Sequence, residues 1–229
     1  MRKGGAVTLN VNLREVLVQA IKDYDYPRVT FDFKSKVEQR HGSMRDVERV
    51  IRTDLTSGNP DAVKDGLSNV LYWGFYTRGG IRDFRVTEFR KGVTEKKLDE
   101  ARHLFKNLKE TGVIQIKNLH LPQFSGLSFV SKARMFLDPS RYVTLDLSLM
   151  RLRDARVVTI FREIKQYKTQ IPITGHNELC YERWCELCRK LVHDSFRDGK
   201  VLAVDIERGI FHLVKTGRID LAADILSSV

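Results

Sequence analysis

This chain is poor in cysteine, in long apolar runs and in strand-like alternation, and its acidic residues are outnumbered by basic ones. No apolar run approaches the ~18 residues of a membrane-spanning helix, so no such span is expected. MRKGGAVTLNVNL has two early basic residues but no apolar stretch behind them, so no signal peptide is expected either. Cysteine occurs three times, an odd number that argues against a disulfide framework and for a reducing compartment. The cytoplasm is the expected location, with nucleoid association if the source is prokaryotic. Asp and Glu number 29 against 40 Lys and Arg, which leaves a formal charge of +11 and a pI near 9.7. Such an excess favours polyanionic partners, nucleic acid first.

What is present is mostly helical periodicity. Leu13, Val16, Leu17, Ala20, Ile21 and Tyr24 follow the i, i+3, i+4, i+7 pattern. Ser43 with Asp46 forms a capping signal before Val47, Ile51 and Leu55, and Asn59-Pro60 a cap followed by proline at the first helical position. Thr94 introduces a helix carrying Leu98, Ala101, Phe105 and Leu108, with Gly112 expected to end it. Further helices are expected over 147–153, 156–166, 178–196, 205–216 and 219–227. Alternation is confined to Arg28–Phe33 and the short Val113–Ile116. With 229 residues and 42% hydrophobic content the expectation is all-α, a single two-lobed helical domain with at most a minor strand pair.

The stretch LPQFSGLSFVSKARMFLDPSRYVTLD, residues 121–146, concentrates the chemistry. Ser125-Gly126 would open a helix Leu127–Leu137, and Asp138-Pro139 would close it. Backbone N–H groups of Ser125, Gly126 and Leu127, with the positive end of the helix dipole, would form an anion site for a DNA phosphate. Asp146 follows the glycine by 20 residues in the apolar strip VTLDLSL. Partial desolvation would raise its pKa and strengthen its attraction for a cationic centre, as cleavage of an N-glycosidic bond requires. It could equally serve as the N-cap of the next helix.

These residues resemble the core of the helix-hairpin-helix DNA glycosylase superfamily, and GLSFVSKARMFLDPSRYVTLD is most similar to its oxoguanine-glycosylase-like bacterial branch. YERWCELCRKL and AVDIERGIFHLVKTG resemble that branch too, so the likeness spans about residues 60–216. In the family a hairpin of the type L-P-G-V-G grips phosphate, and a catalytic Asp follows the second glycine by about 20 residues. Gly126 and Asp146 fall on those positions. Phe124 replaces the first hairpin glycine. Members that also cut the strand carry a Lys two residues after the second glycine, where this chain has Ser128. The resemblance therefore implies a monofunctional, water-using glycosylase acting as a monomer on duplex DNA, with Ser125, Gly126, Leu127, Ser128 and Lys132 at the phosphate and no cofactor. The four-cysteine iron–sulfur pattern of some relatives is missing. A non-catalytic DNA-binding module of the same fold is the alternative; a helical domain with an acidic protein partner is a weaker third.

Other clusters have two readings each. Tyr72, Trp73, Phe75 and Tyr76, followed by Arg78, Arg82 and Arg85, suit a stacked extrahelical base with its backbone held beside it, or simply a core. Gly79-Gly80 suggests a mobile turn. Cys180, Cys185 and Cys188, with His176 or His193, could ligate a metal, but their stripe with Tyr181, Trp184 and Val192 favours core. Asp205 and Glu207 could form a carboxylate pair, though capping is the better reading. Lys132 is expected to contact phosphate or solvent, Lys96, Lys97 and Lys106 to form a solvated face, and His120 to lie at the surface or on phosphate.

Overall fold

Capping and periodicity translate directly into the first helices. The computed structural model describes residues 9–107, 111–155, 159–196 and 198–228. Helix α1 (Val11–Lys22) is followed by a hairpin of β1 (Val29–Asp32) and β2 (Val37–Arg40), then α2 (Met44–Leu55) and α3 (Pro60–Gly74). Ser43 and Asp46 form the reciprocal capping box at α2, and Asn59 caps α3 with Pro60 in its first turn. Helices α4 (Gly80–Gly92), α5 (Glu95–Lys106), α6 (Val113–Asn118) and α7 (Leu127–Leu137) follow. A 3-10 segment over Leu147–Asp154 leads to α8 (Thr159–Glu163), α9 (Gly175–Ser195), α10 (Ala203–Lys215) and α11 (Ile219–Ser227). The described chain is predominantly helical with one small two-stranded sheet, an all-α fold with a minor strand pair.

Several expectations shift. Val113–Ile116 is not a strand but the start of α6: Gly112 precedes it, and Val113 and Ile116, one turn apart, are both buried. Gly112 therefore begins a helix rather than ending one; α5 stops at Lys106, and Leu108 lies outside the described residues. Gly79-Gly80 is no loose turn, since α4 starts at Gly80 and Asp83 N–H donates to Gly79 O. Of the helix expected over 156–166, residues 159–163 are helical and 156–158 lie outside the described residues. The segment after Asp146 is helical with 3-10 geometry. Arg28–Phe33 contributes β1, whose antiparallel partner β2 has a charged, exposed face that hides any alternation. The Asp32 carboxylate orders the connecting turn by accepting from Lys34 N–H at 2.8 Å.

The buried apolar side chains form one contiguous cluster. Helix α1 packs along α10 and touches α11, although nearly the whole chain separates them, while α3 is gripped by α2, α4, α5 and α7. That arrangement sets the residues after α1, the end of α3, α7 and α10 around a common hollow. Among the described residues, no helix is long and apolar enough to cross a membrane.

Candidate active site

Helix α7 is the platform of the site. It follows α6 through a tight hairpin, residues 119–126, in which His120 (φ 49°) and Gln123 (φ 69°) occupy the left-handed region usually given to glycine. Phe124 is buried against Phe89 and Phe129 and anchors the turn by packing. Gly126 itself is extended (φ −107°) and pairs with Pro172 of the loop before α9. The Leu127 N–H donates to Ile171 O at 2.9 Å, so it is not available to a phosphate as expected. Among the described residues no side chain caps this end of α7, which leaves the Ser128 amide with the first-turn donors that lack an intrahelical partner. Ser125 is exposed beside it.

Asp138-Pro139 ends α7 and the chain turns, Tyr142 N–H donating back to Asp138 O. Residues 142–145, in neither helix nor strand, then run buried through the core. Three buried side chains hold them: Tyr181 OH donates to Val143 O at 3.0 Å, Trp184 Nε1 to Thr144 O at 3.0 Å, and Leu145 N–H to Ser131 Oγ at 3.0 Å. The apolar stripe of α9 thus aims Asp146. Ser131→Ala would strip the acceptor from a buried amide. It is expected to destabilise the fold by about 1–3 kcal/mol, read as a lower urea midpoint at unchanged m value.

Asp146 divides its carboxylate between two tasks. Oδ1 accepts from the Ser148 N–H at 3.1 Å and caps the 3-10 segment, as one reading of the sequence holds. Oδ2 faces Lys132 Nζ at 3.0 Å. Lys132 is therefore neither solvated nor at the surface: its side chain is 7% exposed, and Nζ also donates to Ser128 O. Burial pushes the Asp146 pKa up, but the Lys132 charge and the hydrogen bonds from Lys132 and Ser148 prevail. The net shift is downward, opposite to the rise expected from desolvation alone.

Asp146 and Lys132 line a narrow cavity of about 60 Å³ with Tyr24, Tyr26, Trp73, Gly74, Thr144, Glu207 and Phe211. Beyond Tyr24, Tyr26 and Phe211 lies a wider hollow of about 330 Å³, bordered by Thr77, His212 and Lys215. The chain matches no known family model, no curated protein and no solved structure. The walls are aromatic: Tyr26 meets Trp73 edge-on at 4.7 Å and Tyr24 meets Phe211 at 6.3 Å. Tyr26 OH donates to Trp73 O at 3.0 Å, which fixes its ring, and burial first, then the Asp146 charge, push its pKa up to about 12. The larger depression, about 820 Å³ between Arg153 and Gln166, is open and lacks this enclosure.

Of the aromatic cluster at the end of α3 and just beyond it, only Trp73 lines the cavity. Tyr72 is buried on Phe31 and donates to Glu38 at 2.7 Å, Tyr76 packs on Tyr72, and Phe75 stacks on Phe129 at 4.3 Å. Arg82 lies over the Tyr72 ring at 4.3 Å and Arg85 donates to Gln123, so both brace structure; Arg78 is exposed, close enough to lower the Tyr26 pKa somewhat. Cys180, Cys185 and Cys188 are buried in the α9 stripe, and the described residues contain no cluster of three His, Cys, Asp or Glu side chains. Asp205 does cap, accepting from Leu202 N–H at 2.8 Å, but Glu207 turns into the cavity instead. Sequence reasoning missed Tyr24, Tyr26, Thr144 and Phe211. The one available signal was YDYP, two tyrosines placed just where the first helical pattern stops.

Proposed function

We propose that this chain excises a modified or damaged base from duplex DNA by cleaving its N-glycosidic bond, with Asp146 as the catalytic carboxylate. The observation that carries the reading is a carboxylate paired with Lys132 at 3.0 Å in the lining of an aromatic cavity, the lysine charge favouring its ionised form. A base taken out of the stack would lie among Tyr24, Tyr26, Trp73 and Phe211. Its sugar would approach Asp146, whose charge opposes the cation that develops at C1′ as the bond breaks. The hairpin before α7 supplies uncapped helix donors for a phosphate, and Arg78 and Lys215 add positive charge near the mouth. The resemblance of residues 126–146 to the glycosylase core supports the same chemistry.

Water is the attacking group in this reading, so excision leaves an intact abasic strand. A second reading has one specific observation in its favour: Lys132 Nζ sits 3.0 Å from Asp146. Transfer of a proton from Lys132 would free an amine to attack C1′, expel the base and form an imine that permits strand cleavage.

The test is base release from duplexes carrying single oxidised, deaminated or alkylated bases, with and without alkali. Release with breaks only after alkali supports the water mechanism. Salt-sensitive binding without release from any duplex would replace the enzyme with a binding module.

A further inference from the structure

The cavity holds a second carboxyl group that the excision reading leaves idle. Glu207 is 5% exposed, and its carboxyl accepts no hydrogen bond among the described residues. Its neighbour Asp205 is fully engaged by Leu202 N–H, Arg45 and Arg208. A carboxyl that faces a narrow cavity at 5% exposure, with no hydrogen bond from the described residues, carries a desolvation cost that a leucine would avoid. Folds accept such costs at working sites.

The charged and titratable groups that act on Glu207 come from several parts of the chain. Arg208 is on α10 itself, Lys132 on α7, Asp146 just after the buried segment 142–145, Tyr24 after α1 and Cys188 on α9. Arg208 is already committed to Glu48 at 2.6 Å, and Lys132 to Asp146. Burial is the largest influence on Glu207; it outweighs the pull of Arg208 and Lys132, Asp146 adds to it, and the pKa rises to about 8. Burial also raises Tyr24 and Cys188, so both are neutral near pH 7. One carboxyl in the cavity is thus held ionised and the other protonated, the division that separates acid from base in two-carboxylate sites.

We infer that Glu207 is the acid that protonates the departing base, an inference that rests on the excision reading. The C1′–N bond breaks with its electron pair passing to the base. The Glu207 proton moves to that base, leaving a carboxylate. Water adds its oxygen to C1′, and the proton it releases returns through solvent to Glu207. One water is consumed, one glycosidic bond becomes a C1′–O bond, and no electrons are exchanged with any other reactant. Asp146 faces the cation forming on the sugar while Glu207 meets the negative charge forming on the base.

Glu207→Gln keeps the size and hydrogen-bonding capacity of the side chain but has no acidic proton. The assay uses duplexes carrying one 8-oxoguanine, uracil, hypoxanthine or 7-methylguanine, under single-turnover conditions from pH 5.5 to 9.5. On any duplex that depends on protonation, the variant is expected to be roughly 10²-fold slower at pH 7, with unchanged duplex affinity. The wild-type rate should fall as pH rises through about 8, and the variant should lack that fall. Its Tm at pH 7 should be no lower than wild type. A carboxyl with a raised folded pKa contributes its full stability only below its unfolded pKa and loses it as pH rises through the folded one. Equal rates, or a slower variant with the wild-type pH profile, would overturn the inference while leaving excision standing. A wild type inert on all four duplexes would overturn both.

Discussion

Asp146→Asn is expected to reduce base release by roughly 10³-fold while leaving duplex binding within a few-fold of wild type. The substitution is close to isosteric, and its oxygen can still accept the Ser148 N–H that organises the following 3-10 segment. What disappears is the partner of Lys132 and, in the proposed reaction, the negative charge set against the sugar cation. Breaking a fully buried ion pair costs several kcal/mol, but the Asp146 side chain is 31% exposed, so about 1–3 kcal/mol of stability is expected to go. Parallel measurement of single-turnover excision, duplex affinity and urea unfolding separates the two effects. Retained turnover in a folded variant would remove Asp146 from the chemistry. The pH dependence has a definite sign. The Asp146 pKa is lowered, so its stabilising pair is present above the ordinary carboxylate range and is lost as pH falls through the lowered value. Between pH 5 and 7 the excision rate should therefore show no acid limb from Asp146.

The readable parts of the fold were those whose cause is local. Ser43, Asn59 and Thr94 cap the helices they precede, and α7 spans Leu127–Leu137 as its Ser-Gly start and Asp-Pro stop imply. Short apolar runs carry no such information. VIQI is β-branched and four residues long, and it becomes helical because Val113 and Ile116 reach the core one turn apart. The turn between α6 and α7 is built by means the sequence hides: His120 and Gln123 adopt the left-handed backbone without glycine, and Phe124 packs into the core.

The site was legible only where its residues are near in sequence. Gly126, Lys132 and Asp146 belong to one stretch, yet the distance between Lys132 and Asp146 depends on how the chain reverses at Pro139 and on the pull of Tyr181 and Trp184 from α9. Those two aromatics sit on what reads as an ordinary core stripe; their polar tips hold the backbone before Asp146. Tyr24, Glu207 and Phe211 come from opposite ends of the chain and meet because α1 lies along α10. No spacing rule reaches across 180 residues. The Tyr72–Tyr76 cluster had two readings, pocket or core, and adjacency along the chain could not divide them: of the four, Trp73 lines the cavity and the others pack elsewhere.

Lys132→Met is expected to lower base release by roughly 10²-fold at pH 7. Methionine has a similar length and can retain the packing on Phe129, where Lys132 Nζ lies 5.2 Å from the ring centroid. The lost ammonium is the main charge holding the Asp146 pKa down, so burial would then push that carboxyl upward. If water attacks, Lys132 acts through Asp146: the variant keeps residual release, gains an acid limb as Asp146 protonates, and recovers as pH is raised. If the lysine amine attacks, release vanishes at every pH. Borohydride added during turnover makes the distinction independent of rates. An imine between Lys132 and C1′ would be reduced to a stable protein–DNA adduct in wild type and be absent from Lys132→Met. Release by wild type without an adduct leaves Lys132 as the group that keeps Asp146 charged, in which case Lys132→Arg should preserve more activity than Lys132→Met.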